Sequence, residues 1–89
     1  MSTFDRRKHI PILVQDALSE LGHGMALKRK TLRLTQSDLA LQAGVGLSTV
    51  VSLEKGHDGV SLGNLCKVLD VLGTLDQLAC LVQTNEESP

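Results

Sequence analysis

Between Thr35 and Glu54 the chain sets two short helical runs on either side of Gly44-Val45-Gly46, and this stretch restricts the fold more than any other. Thr35 stands three residues before Asp38, just ahead of Leu39-Ala40. That spacing is close to a capping box, in which a hydroxyl and an acid satisfy the free amides of a helix start. The acid also suits the positive end of the helix dipole. A helix is therefore expected from Gln36 to about Ala43. Gly44 is free to take the left-handed conformation that ends a helix. Ser48 opens the next helix, which should finish near Lys55-Gly56. Ala40 is small where two helices must cross closely, Val45 fills the space beneath the turn, and Val50 and Leu53 seat the second helix on a core. Leu47, Ser48, Thr49 and Ser52 are left pointing outward. A strand has no place between Gln36 and Lys55.

The rest of the chain reads as further helices. Leu is abundant, β-branched residues are scattered, and Phe4 is the sole aromatic, so the core must come from Leu, Val and Ala. From about Asp16 to Leu32, Ala17, Leu18, Leu21, Met25 and Leu32 follow helical spacing. Gly22 and Gly24 weaken the middle, so the helix is expected to be firm only from about Gly22 onward. Ile10 to Val14, containing Pro11, reads either as an extended segment or as the lead-in to that helix. Ser61 caps a fourth helix bearing Leu62, Leu65, Cys66, Leu69 and Leu72, and Gly73 stops it. A fifth element begins at Thr74. The expected class is all-α, with four to five helices. The expected organisation is a flexible basic arm over 1–14, one domain over 15–83 and a disordered tail over 84–89.

The 89 residues suit one domain, and one this small buries only about 60–65% of its unfolded surface. Dimerisation would add burial. Cys66 and Cys80 have no metal-ligand spacing with His9, His23 or His57. They read as reduced core thiols in a reducing compartment. No run of about 18 apolar residues is present. Arg6-Arg7-Lys8 before Ile10 loosely resembles a signal peptide, but Pro11, Gln15 and Asp16 interrupt the apolar run. The expected location is the cytoplasm.

Two short helices across a tight turn, the second with a polar outer face, are the geometry that lays a helix in the major groove of DNA. The net charge of −1 is silent on this, but its distribution is not. Residues 1–33 hold seven bases and three acids, a balance of +4, and residues 34–89 balance at −5. A small domain polarised in this way can present a basic face.

The order Leu34-Thr35-Gln36-Ser37-Asp38-Leu39-Ala40, Ala43-Gly44-Val45, Val50, Leu53-Glu54-Lys55-Gly56, then Leu62, Leu65, Leu69, Leu72 and Gly73, resembles the lambda-repressor-like (Cro/XRE-type) helix-turn-helix domains. The resemblance runs from about Leu21 to Val82. It implies that Gln36 opens the second helix and reaches DNA, and that Gly46, Leu47, Ser48, Thr49 and Ser52 of the third helix meet base edges. Better-known members often carry Gln at the position of Leu47. Gln can make a bidentate contact to adenine, whereas Leu can only pack on a thymine methyl or serve as a buried staple. The third helix has no Arg before Lys55, so phosphate contacts and DNA shape should carry more of the recognition. Phosphate contacts are expected at Thr35, Gln36 and Ser37, at Lys55 and His57, and at Ser61 and Leu62, where helix N-termini favour anions. Arg33 and Arg6-Arg7-Lys8 are further candidates. The resemblance also implies a structural ion pair between Arg29 and Glu54 that fixes the first helix against the third.

No base is placed beside a nucleophile and no phosphate-cradling glycine loop is present, so an enzyme is not expected, nor any cofactor or metal. The partners expected are double-stranded DNA with a palindromic operator and a second copy of the chain. The homodimer interface is assigned to Leu75, Leu78, Ala79, Leu81 and Val82, as a helix in preference to a strand. Ser61 to Leu69 with Leu72 further resembles antitoxins of the HipB type, which partner a HipA-like kinase toxin. A repressor that autoregulates a toxin–antitoxin operon and a stand-alone phage- or plasmid-type repressor are the two readings that follow.

Overall fold

The computed structural model describes residues 9–83, and all its regular structure is helical: α1 (Ile12–Thr31), α2 (Gln36–Ala43), α3 (Leu47–Glu54), α4 (Leu62–Val71) and α5 (Leu75–Cys80). The arm residues 1–8 and the tail 84–89 lie outside the described residues.

Each helix start has a local cause. Pro11 precedes α1, and its carbonyl accepts from Gln15 N at 3.0 Å. Thr35 closes the capping box at α2: its Oγ1 accepts from Asp38 N at 3.0 Å, and its own N–H donates to Asp38 Oδ2 at 2.9 Å. Ser61 Oγ accepts from Asn64 N at 3.1 Å and caps α4. The stops are equally specific. Leu34 N donates to Arg29 O at 3.1 Å and Arg33 N to Lys30 O at 2.9 Å. This pair of bonds needs a left-handed residue between helix and turn. Arg33 supplies it with φ 61°, a position usually given to glycine.

Eight residues form the buried core: Met25 from α1, Leu39 and Ala40 from α2, Val50 and Leu53 from α3, and Val68, Leu69 and Leu72 at and just beyond α4. Leu39, Val50 and Val68 are the largest fully buried side chains. Burying each removes an aliphatic side chain from water, worth about 1.5–3 kcal/mol. α2 packs on α3 and α4, α1 lies across α3, and α5 leans on α4. The turn at Gly44 to Gly46 is thereby held over the core by Ala43 and Val45.

Four expectations need correcting. α1 is continuous from Ile12 and not firm only from Gly22, and of the two readings of Ile10 to Val14 the helical lead-in holds from Ile12. Gly22 does not weaken the helix to no purpose. A Cβ there would stand 2.4 Å from Leu53 O and 2.6 Å from Glu54 O, so α1 and the end of α3 approach backbone to backbone. The core face of α4 is rotated from the expected one. Leu62 is 69% exposed, and Val68, absent from the expected stripe, is buried. Cys80 is exposed and Cys66 half-buried, so neither thiol is a core residue.

Gly56 shows the same close crossing from the other side. Its φ is +78°, and a Cβ there would stand 2.8 Å from Ser19 Cα. Gln15 Nε2 donates to Gly56 O at 3.0 Å. The first half of α1 therefore braces the C-terminal end of α3.

Candidate nucleic-acid interface

The outer face of the α2–α3 pair is built from residues the core leaves over. Gly46 is the N-cap of α3, in extended conformation at φ −73° and ψ 154°. Its carbonyl accepts from Thr49 N at 3.1 Å and starts the helix without a side-chain cap. Leu47 and Ser48 follow and are exposed, while Thr49 and Ser52 are half-buried as the helix rolls toward the core. Leu47 is 47% exposed, so it is not a buried staple and its methyl groups face outward. An α-helix with its side chains is about 10–12 Å across, which matches the roughly 12 Å width of the major groove.

Polar N-termini flank this face. Thr35 and Ser37 are exposed and Gln36 is half-buried at the start of α2. Ser61 and Leu62 are exposed at the start of α4. Lys55, the C-cap of α3, and His57 beyond it are exposed. Arg33 is exposed at the end of α1. Asp38, which closes the capping box, has its pKa lowered by the backbone N–H of Thr35 and then by the Thr35 hydroxyl. It stays ionised and keeps the α2 N-terminus formed.

Arg29 and Glu54 meet beneath this surface. Arg29 Nε donates to Glu54 Oε2 at 2.7 Å and Arg29 Nη2 to Glu54 Oε1 at 3.1 Å. Arg29 Nη1 donates to Leu34 O at 2.9 Å. The side chains are only 10% and 8% exposed. Burial by itself would raise the Glu54 pKa. Hydrogen bonds from Arg29 and Gln36, with the charges of Arg29 and Lys30, outweigh it and hold the carboxyl below its ordinary value. The hydrogen bond to Glu54 in turn raises Arg29, against the effect of burial. The pair joins α1 to the end of α3, and the Leu34 carbonyl ties it to the turn before α2. No buried side-chain nitrogen or oxygen among the described residues lacks a partner.

Gln36 was singled out as a group facing DNA, yet its Nε2 donates to Glu54 Oε1 at 3.0 Å. The structure therefore draws it into the ion-pair network. Sequence reasoning missed this link, as it missed Gln15, Gly22, Leu34 and Gly56 as positioning groups. A glycine in a helical pattern can signal a close crossing as well as a weak helix, but Gly24 carries the same signal with open space around it. Nothing in the sequence pointed to Gln15 or to the Leu34 carbonyl.

At the far end, Leu75, Leu81 and Val82 are exposed, whereas Leu78 is half-buried against the core. The segment is helical over Leu75–Cys80. Thr74 precedes it without capping it, and its hydroxyl instead donates to Leu69 O at 3.4 Å. No group of metal-ligating side chains occurs among the described residues. No described helix is long and apolar enough to cross a membrane.

Comparison with known proteins agrees with this architecture. Residues 25–78 match the helix-turn-helix family HTH_3. An uncharacterized HTH-type transcriptional regulator, y4mF, of Sinorhizobium fredii (strain NBRC 101917 / NGR234) is 39% identical over 62 residues, 68% of this chain and 82% of that protein. Five helices with a three-residue turn between α2 and α3, an open start to α3 at Gly46, Leu47 and Ser48, and these two matches place the chain in the Cro/XRE-type helix-turn-helix family of DNA-binding transcriptional regulators.

Proposed function

We propose that this chain is a sequence-specific repressor that binds a palindromic operator as a homodimer, inserting α3 into the major groove of each half-site. The observation that carries the reading is the division of labour on α3. Val50 and Leu53 are buried, while Gly46, Leu47 and Ser48 are left open at the helix start, where a docked recognition helix meets base edges. Leu47 meets a thymine methyl, and Ser48, Thr49 and Ser52 offer hydroxyls to base edges. Thr35, Gln36, Ser37, Lys55 and Ser61 hold phosphates on either side, helped by the two helix N-termini.

A duplex selected from a randomised library by the wild-type protein tests this. Thr49→Ala weakens the selected duplex by about 1–3 kcal/mol and leaves random DNA nearly unaffected. Lys55→Ala weakens both alike and lowers the salt slope by about one. Equal binding of selected and random duplexes would remove sequence-specific readout.

The antitoxin reading adds a protein partner. It is favoured by the likeness of Ser61 to Leu69, with Leu72, to antitoxins of the HipB type. On this reading the chain represses its own operon and neutralises a kinase-like toxin encoded beside it. Co-expression with the adjacent gene's product should then yield a stable complex. A neighbour that is no kinase, or that does not bind, leaves the stand-alone repressor.

A further inference from the structure

We propose that Glu54, besides closing the ion pair with Arg29, is a positioning residue for Gln36: it holds the Gln36 amide in one orientation, so that the chain meets DNA at the start of α2 with a preset donor and acceptor. The inference rests on the DNA-binding reading above and deepens it.

The argument begins with valence. An ionised carboxylate only accepts hydrogen bonds. Glu54 Oε2 accepts from Arg29 Nε at 2.7 Å, and Oε1 accepts both from Arg29 Nη2 at 3.1 Å and from Gln36 Nε2 at 3.0 Å. The amide of Gln36 therefore turns its NH₂ end inward, because its carbonyl end would meet a second acceptor. One N–H and the whole of Oε1 remain for an external partner. Gln36 is half-buried, so this free edge reaches the surface.

The setting makes the orientation firm. Glu54 is itself held by two bonds from a guanidinium, and that guanidinium is pinned to the Leu34 carbonyl at 2.9 Å. Gln36 is the first residue of α2, directly after the Thr35 cap, so its backbone is fixed by the capping box. A glutamine with backbone and amide both held gives up little freedom when it binds. Immobilising a long polar side chain from a mobile start costs about two- to tenfold in affinity. The Arg29 charge also neutralises Glu54, so the network adds no net negative charge next to a phosphate.

The test separates this role from simple structural support. In the Arg29→Met, Glu54→Met background the ion pair is replaced by apolar side chains of similar length, an exchange that often leaves a fold intact. Gln36→Ala is measured in the wild type and in that background, against the same selected duplex. The expected result is that Gln36→Ala weakens binding about tenfold in the wild type and less than threefold in the background. Equal losses in the two would overturn the proposal, since a purely structural Glu54 leaves the Gln36 contribution unchanged. An absence of any enriched duplex would overturn it together with the DNA-binding reading. Should the paired variant fail to fold, the wild-type protein alone decides by NMR. The Gln36 side-chain NH₂ signals should shift as Glu54 titrates, while those of exposed Gln42 and Gln77 stay put. Gln36 signals that behave like those of Gln42 would sink the idea.

Discussion

At the scale of single residues, the space around a backbone atom decides more than helix propensity does. Gly22 and Gly24 both lie inside α1, and by propensity alone each should stabilise the protein by about 1 kcal/mol when changed to Ala. Their surroundings differ. A Cβ at Gly24 meets nothing within 4 Å, whereas one at Gly22 would press into the backbone of Leu53 and Glu54 at 2.4–2.8 Å. Gly24→Ala should therefore stabilise by about 0.5–1 kcal/mol. Gly22→Ala should destabilise by about 1–3 kcal/mol or more, because the obstacle is backbone and cannot rotate away. Urea unfolding of the two variants beside the parent reads the difference in sign, and a stabilised Gly22→Ala would show that α1 does not cross α3 this closely. The two glycines look alike in the sequence, which carries the helical period but not the distance to a neighbouring helix. Thr35 with Asp38 was legible because both partners of a capping box lie within four residues. Gln15 with Gly56 was not, since that bond spans 41 residues.

At the scale of elements, the α2–turn–α3 unit could be read almost whole from the sequence. The Thr35 cap of α2 and the buried positions Leu39, Ala40, Val50 and Leu53 were all legible there. α4 was harder, because Leu62, Leu65, Val68, Leu69 and Leu72 offer two overlapping apolar faces and the tertiary contacts with α2 choose between them. The contact that sets α1 against α3 is electrostatic and titrates. Glu54 has a folded-state pKa below its ordinary value, so the unfolded chain binds more protons as the pH falls toward it. The stability it contributes is fully present above the ordinary carboxylate range of about 4–4.5 and is lost as the pH drops through the folded-state value. Asp38 shifts in the same direction and adds to the same acid limb. Unfolding free energy should therefore be flat from neutral pH down to about 5.5 and fall below about 4.5. In the Arg29→Met, Glu54→Met variant only the Asp38 part remains among these two, so the fall should be shallower. Identical slopes in parent and variant, measured by denaturant titration across that window, would mean that Glu54 is not held in its charged form by the fold.

At the scale of the whole molecule, one helix-turn-helix covers about one half-site, and specific repressors generally place two about 34 Å apart on one face of the duplex. On the proposed homodimer, a self-complementary surface holds the second copy. The segment from Leu75 to Val82 is the candidate, and the structure changes which of its residues can be tested. Leu78 packs against the chain's own core, so a charge there would unfold the domain and say nothing about association. Leu81 is 77% exposed and Val82 84%, and the domain does not need either for its own packing. Leu81 lines an apolar groove of about 190 Å³ together with Leu21, Leu69 and Leu78, and on the proposed homodimer the partner's C-terminal segment would cover it. Leu81→Asp should therefore leave the unfolding midpoint nearly unchanged, since exposed substitutions cost within about 0.5 kcal/mol. It should convert a dimer at tens of micromolar into a monomer in sedimentation velocity. Operator affinity should fall with it, because each half-site then binds alone, while the loss on random DNA is smaller. A parent that sediments as a monomer, or a Leu81→Asp variant that remains dimeric with normal operator affinity, would place the two-fold axis elsewhere on the molecule.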